Sequence, residues 1–176
     1  MSSLAKSSPA NNAARLAFAA SLAVSCFFSG GAAAAIACVF TSAPGVAFGN
    51  YDDSLATPTD TTSTIQVRCD RTPGGGGGNS VTFTVNIGAS ANTGLESSRA
   101  MKNTASAVLL NYNLYTTIGR TTYWGSTAGN NVSATLSGIA QNGSRSTSLT
   151  IYGRIPALQN PTAGLYSESL AITVSP

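Results

Sequence analysis

Leu170-Ala171-Ile172-Thr173-Val174-Ser175 closes the chain, with only Pro176 after it. Leu170, Ile172 and Val174 alternate with small or polar residues, and a period of two puts one side of a β-strand in a core and the other in water. The same period recurs upstream. Ile65, Val67 and Cys69 alternate with Gln66 and Arg68, and Val81, Phe83, Val85 and Ile87 repeat the pattern after Pro73 and the glycine run Gly74 to Gly78. Further strand segments are Cys38 to Thr41, Val46 to Phe48, Val108 to Tyr115, Tyr123-Trp124, Val132 to Leu136, Leu149 to Ile155 and Leu165 to Val174. Pro44-Gly45 marks a turn, and Asn142-Gly143 reads as a tight hairpin turn. No window carries a helical apolar stripe. Many short strands at this spacing predict an all-β sandwich of two packed antiparallel sheets.

The front of the chain reads differently. Lys6 and Arg15 precede an apolar run from Leu16 to Phe28, which Ser29-Gly30-Gly31 breaks before an alanine run. This is the pattern of an export signal, and small residues suit cleavage after Ala35 or Ala37. The run is too short for a retained membrane helix. The expected domains are therefore a signal peptide over residues 1–35, cleaved at about 35 to 37, and one β-domain over residues 36–176. Cys26 falls inside the signal, and Ala23-Val24-Ser25 before it makes a poor lipoprotein acceptor. Cys38 and Cys69 then remain as an even pair in an exported chain, where a disulfide is the default.

Of 176 residues only 15 are charged, and the formal net charge is +3. Loss of Lys6 and Arg15 leaves seven basic residues against six acidic ones, a net +1, which gives no basis for binding nucleic acid. The chain contains no histidine, so Ser-His and Cys-His pairs are excluded, and no Cys-x-x-Cys suggests a metal. Asp52, Asp53, Asp60, Asp70, Glu96 and Glu168 are scattered, mostly in turn-like contexts. The glycine run lacks the Lys-Ser or Lys-Thr of a phosphate loop and reads as a plain loop. Asn131-Val132-Ser133 and Asn142-Gly143-Ser144 match glycosylation acceptors, a pattern of low specificity. An enzyme is not expected, and no cofactor. Arg154, between Gly153 and Ile155-Pro156 in an apolar strand, must reach solvent or pair with a carboxylate.

Several ordered motifs resemble the spore coat protein U domain family, which includes the subunits of archaic chaperone-usher pili of the Csu type. They are Arg99-Ala100-Met101-Lys102-Asn103, Leu110-Asn111-Tyr112-Asn113-Leu114-Tyr115, Trp124-Gly125, Tyr152-Gly153-Arg154-Ile155-Pro156 and Gly164-Leu165-Tyr166-Ser167-Glu168-Ser169 running into the final strand. Cys38, Phe48-Gly49-Asn50-Tyr51 and Val67-Arg68-Cys69 extend the likeness to the front. The resemblance implies an immunoglobulin-like β-sandwich lacking one strand. A periplasmic chaperone, and later a neighbouring subunit, would supply that strand by β-strand addition, with an outer-membrane usher as a further partner. It also implies that Leu170, Ile172 and Val174 form the strand on which a chaperone or subunit strand docks.

Polymerising members of that family carry an alternating apolar segment before the first cysteine, which is the strand they donate. Here only Ile36 and Ala37 would precede Cys38 after cleavage. A stub of that size is far short of the roughly 10 residues, at about 3.3 Å each, that a groove requires. The expectation is a strand acceptor at a tip or terminal position of a cell-surface fimbria, serving attachment and biofilm formation. Two alternatives stand beside it. One is a self-contained secreted coat or matrix protein. The other is a carbohydrate-binding module presenting Tyr51, Tyr123 or Trp124, although core packing suits Trp124 better.

Overall fold

The computed structural model describes residues 36–73 and 78–176. The expected signal segment with Cys26, and Gly74 to Gly77, lie outside these residues. Among the described residues nine strands follow one another: β1 (Ile36–Ser42), β2 (Thr59–Arg71), β3 (Val81–Ile87), β4 (Arg99–Asn103), β5 (Leu109–Tyr115), β6 (Val132–Leu136), β7 (Ser144–Ile155), β8 (Tyr166–Ser167) and β9 (Ile172–Ser175). They build a six-stranded sheet in the order β1-β2-β7-β5-β4-β8 and a three-stranded sheet in the order β6-β3-β9. Every strand pair is antiparallel. Two such sheets face to face are the expected sandwich, and it is incomplete: one sheet has half the strands of the other.

Alternation decides which side chains meet between the sheets. On β2, Ile65, Val67 and Cys69 are buried while Gln66, Arg68 and Asp70 point outward or to the edge. On β3, Phe83, Val85 and Ile87 are buried from the other side. Each such burial contributes about 1.5–3 kcal/mol. The outer face of the small sheet is tied by hydroxyl pairs, Thr82 with Thr135 at 2.8 Å and Thr84 with Ser133 at 3.1 Å. Trp124 fills the space between the sheets with 0% exposure. Its indole N–H donates to the Val85 carbonyl at 2.9 Å, which satisfies its one buried polar atom.

Cys38 and Cys69 stand directly opposite in the β1–β2 ladder and form a disulfide with an S–S distance of 2.01 Å. β1 has a hydrogen-bonded neighbour on one side only, so the bridge fastens an edge strand to a central one.

Four details depart from the sequence reading. Val46 to Phe48 is not a strand, because these residues cross over the large sheet instead of joining a ladder. Tyr123 forms a single bridge with Tyr115, and Trp124 lies in no strand. Asn142-Gly143 is a tight turn, with Gly143 N–H on the Ala140 carbonyl at 2.9 Å and Asn142 at a φ of 57°. It is not a hairpin: the strands on either side, β6 and β7, belong to different sheets, so it carries the chain across the sandwich. Finally, the last apolar stretch is two strands. Residues 168–171 intervene because Glu168 is drawn into a side-chain network and Ala171 bonds through its carbonyl to Gly88 N–H at 2.9 Å.

Candidate functional site

β9 pairs with β3 along four positions, Ile172 with Ile87 through Ser175 with Thr84. Its other side pairs with no strand among the described residues, although β1 of the large sheet comes close to it. Unpaired N–H and C=O groups along a strand edge are a template for another chain. Next to the start of β9 the sheets stand apart and leave a cleft of about 290 Å³. Ile65, Ile87, Leu114 and Ile151 wall it from the two sheets, and Leu170 and Ile172 from the end of the chain. Val174 lies farther along the strand, opposite Val85, half-buried against the core. The three residues singled out in the terminal stretch thus share one side of it, and two of them face open space.

A polar network holds this segment in place. The Glu168 carboxylate accepts hydrogen bonds from Tyr112 Oη at 2.6 Å, Ser90 Oγ at 2.5 Å and Asn92 Nδ2 at 3.4 Å. Burial, and then the bond to Glu168, push the Tyr112 phenol well above its ordinary pKa. Tyr112 therefore stays a donor across the whole usable pH range. Asn92 also donates to the Ala100 carbonyl at 2.7 Å, which links the network to β4.

Beneath it lies Arg99, with 0% exposure. Its guanidinium donates to the carbonyls of Gly88, Ile87 and Trp124 at 2.8, 3.1 and 2.8 Å through Nη2, and to Asn113 Oδ1 at 2.7 Å through Nη1. Burial pulls its pKa below the ordinary value, while Tyr112, Glu96 and Glu168 act in the opposite sense. A fork of donors in fixed geometry suits several carbonyls at once, so the cation ties the end of β3 and the Trp124 segment to β4. The sequence reading placed Arg99 at the head of a motif but gave it no role of its own. Its signal was parity: Arg99 occupies the same side of β4 as Met101, whose partner Leu110 is buried.

Arg154 is paired, as its setting required. Nε and Nη2 reach Asp60 Oδ1 and Oδ2 at 2.7 and 2.8 Å, and Arg120 Nη1 lies 3.3 Å from the same carboxylate. The register placing Asp60 opposite Arg154 makes this possible. The other acidic residues are dispersed. Asp70 pairs with Arg68 at 3.0 Å, Asp52 caps its own turn through Ser54, and Glu96 bonds to Ser126. Among the described residues no group of three or more His, Cys, Asp or Glu could hold a metal. The three aromatics considered for sugar binding do not share a surface. Trp124 is in the core, Tyr51 Oη donates to the Pro156 carbonyl at 3.1 Å, and Tyr123 Oη accepts from Asn130 Nδ2 at 3.0 Å.

The site is thus an unpaired strand edge beside an apolar cleft. The Spore Coat Protein U domain model matches residues 18–173, and the chain belongs to that family. Among solved structures, a chain of the CsuC–CsuE chaperone–tip adhesion subunit pre-assembly complex, from archaic chaperone-usher Csu pili of Acinetobacter baumannii, aligns with a TM-score of 0.46 and 16% identity. The alignment covers 80% of this chain and 40% of that one. A chain from a chaperone–tip adhesin complex of CFA/I fimbriae biogenesis aligns with a TM-score of 0.39 and 16% identity, over 80% of this chain and 42% of that one. The chain therefore spans less than half the length of either. No curated protein sequence matches it.

Proposed function

We propose that this protein is a subunit of an archaic chaperone-usher pilus, assembled by docking of a partner's strand along the unpaired edge of β9. The observation that carries the reading is the cleft beside the unpaired edge of β9, walled by Leu170, Ile172 and inward residues of both sheets. A periplasmic chaperone first lends the strand, an outer-membrane usher admits the subunit, and a neighbouring subunit then takes the chaperone's place. Membership of the Spore Coat Protein U domain family supports this reading. Surface attachment and biofilm formation are its biological outcome.

The subunit is a strand acceptor at a tip or terminal position. Residues 1–35 act as a signal peptide, and cleavage at about 35 to 37 leaves β1 at the new N-terminus. Ile36 and Ala37 pair with Arg71 and Asp70 in the β1–β2 ladder, so they are engaged at home and cannot serve as a donor segment. Mass spectrometry of the exported protein tests this part: a mature N-terminus ten or more residues upstream of Ile36 would remove the acceptor-only role.

Gel filtration and thermal unfolding of the oxidised domain, made alone in the periplasm, test the central claim. The expected result is an unstable or self-associating species that becomes monodisperse when a strand is supplied. A soluble monomer that unfolds cooperatively at high temperature overturns it.

A further inference from the structure

The inner face of the large sheet is longer than the sheet that covers it. β2 and β7 run for 13 and 12 residues, against 7 for β3 and 4 for β9. Past Ile65 and Ile151 the inward positions are Ser63, Thr61 and Gly153, and residues 44–48 cover them as a strap across the strands. Ser63 Oγ donates to the carbonyls of Pro44 and Gly45, each at 3.3 Å, and Thr61 Oγ1 to that of Ala47 at 2.9 Å. Val46 and Phe48 sit directly on Gly153. A Cβ there would come within 2.8 Å of Phe48 Cζ and 3.0 Å of Val46 Cγ1, so the missing side chain is what lets the strap lie against β7. The Phe48 ring meets Tyr112 edge-on, with centroids 5.6 Å apart.

These two side chains wall two spaces at once. On one side is the cleft that begins at β9, and on the other a space of about 610 Å³ reaching Leu110 and Ile155. Both spaces are bounded by Val46, Phe48, Met101 and Tyr166. The two spaces form a trough along the inner face from Ile172 toward Ile155, apolar on the β9 side and mixed beyond, where Asn50, Tyr51, Asp53 and Thr162 join the lining, and the strap divides it.

We propose that Phe48, with Val46 beside it, is the stop that sets how far a docked strand can run along this trough, and so selects partners by the length of their apolar stretch. The inference rests on the strand-docking reading above. An extended segment lying antiparallel to β9 passes Val174, Ile172 and Leu170 in turn and then meets the strap. A partner whose alternating apolar residues end there fits, and one whose apolar run continues must leave the excess in water.

The test needs no separate partner. A tight turn and a strand of alternating Val and Thr are appended after Pro176, so that the strand folds back along β9. One version has about 7 residues and another about 14, enough at roughly 3.3 Å per residue to pass the strap. Both are made in the unmutated chain and in Phe48→Ala, and Tm and amide hydrogen exchange are measured. The expected result is that the short graft raises Tm in both backgrounds. The long graft then adds no more than about 1 °C in the unmutated chain and about 5 °C or more in Phe48→Ala. An equal further gain in both backgrounds, or none in either, overturns the stop while leaving strand docking intact. If the short graft stabilises neither background, strand docking fails and the stop with it. Exchange in the unmutated chain decides the matter even if Phe48→Ala does not fold: the distal amides of the long graft should be unprotected, and protection there overturns the proposal.

Discussion

Two arginines of one sheet, on β7 and β4, show how differently one residue type can be used. Arg154 sits half-exposed in a bidentate pair with Asp60, and such pairs contribute about 0–1 kcal/mol. Arg99 is sealed from water, and its donors satisfy three main-chain carbonyls. Arg99→Met strands those acceptors and should cost about 3–5 kcal/mol in urea unfolding, whereas Arg154→Ala should cost less than about 1. Equal effects would contradict this account. Asp60 adds a pH signature. Its carboxyl is held below the ordinary value, first by the hydrogen bond from Arg154; desolvation, the next largest effect, opposes this, and the charges of Arg154 and Arg120 add to the lowering. Because the folded pKa is the lower one, the stabilisation is complete above the unfolded value of about 3.9 and is lost as the pH falls through the folded value. The gap in denaturant midpoint between the unmutated chain and Asp60→Asn should therefore close on acidification from neutrality to about pH 2.5. Arg154 was legible from its apolar flanks alone, since a guanidinium there needs an exit or a partner. Arg99 was not, because its partners are main-chain carbonyls contributed by β3 and the Trp124 segment, which no side-chain pattern announces.

The elements follow the sequence wherever alternation is apolar against polar. β3 and β6 span Val81–Ile87 and Val132–Leu136, the segments read directly from periodicity. β2 was seen only from Ile65 onward. Its first half, Thr59 to Thr64, carries hydroxyls inward, and these bond to the strap and not to a hydrocarbon core. The same strap explains why Val46 to Phe48 resembled a strand without being one. Its apolar side chains are half-buried, both against Gly153 and Phe48 also against Tyr112, while the carbonyls of Pro44, Gly45 and Ala47 accept bonds from side chains. The terminal segment was half legible: the alternation was plain, but the break at 168–171 depends on Glu168 reaching Ser90 and Tyr112. Glu168→Ala should free that connection and speed amide exchange at Ile172 and Val174 by about tenfold or more, a loss in the range of one charged hydrogen bond. On the edge strand β1, the bridge between Cys38 and Cys69 closes a sequence separation of 31. Its removal by Cys38→Ser/Cys69→Ser should lower stability by about 3–4 kcal/mol and loosen β1 first, which exchange at Val39 and Phe40 would reveal.

At the scale of the whole molecule, a three-stranded sheet facing a six-stranded one leaves more apolar surface than the small sheet covers. Three or four side chains inserted into the cleft contribute roughly 1.5–3 kcal/mol each, which rivals the total stability of about 5–15 kcal/mol typical of a domain. Supplying a strand should therefore shift the unfolding midpoint more than any single substitution discussed above. A shift within experimental error would mean that the cleft is too shallow to matter. The chain holds one tryptophan, buried between the sheets and bonded to β3, the strand that carries β9. This residue is a built-in optical reporter. Its fluorescence should be blue-shifted while the layers are closed and move to the red as soon as solvent parts them, so opening of the sandwich can be followed without attaching a dye.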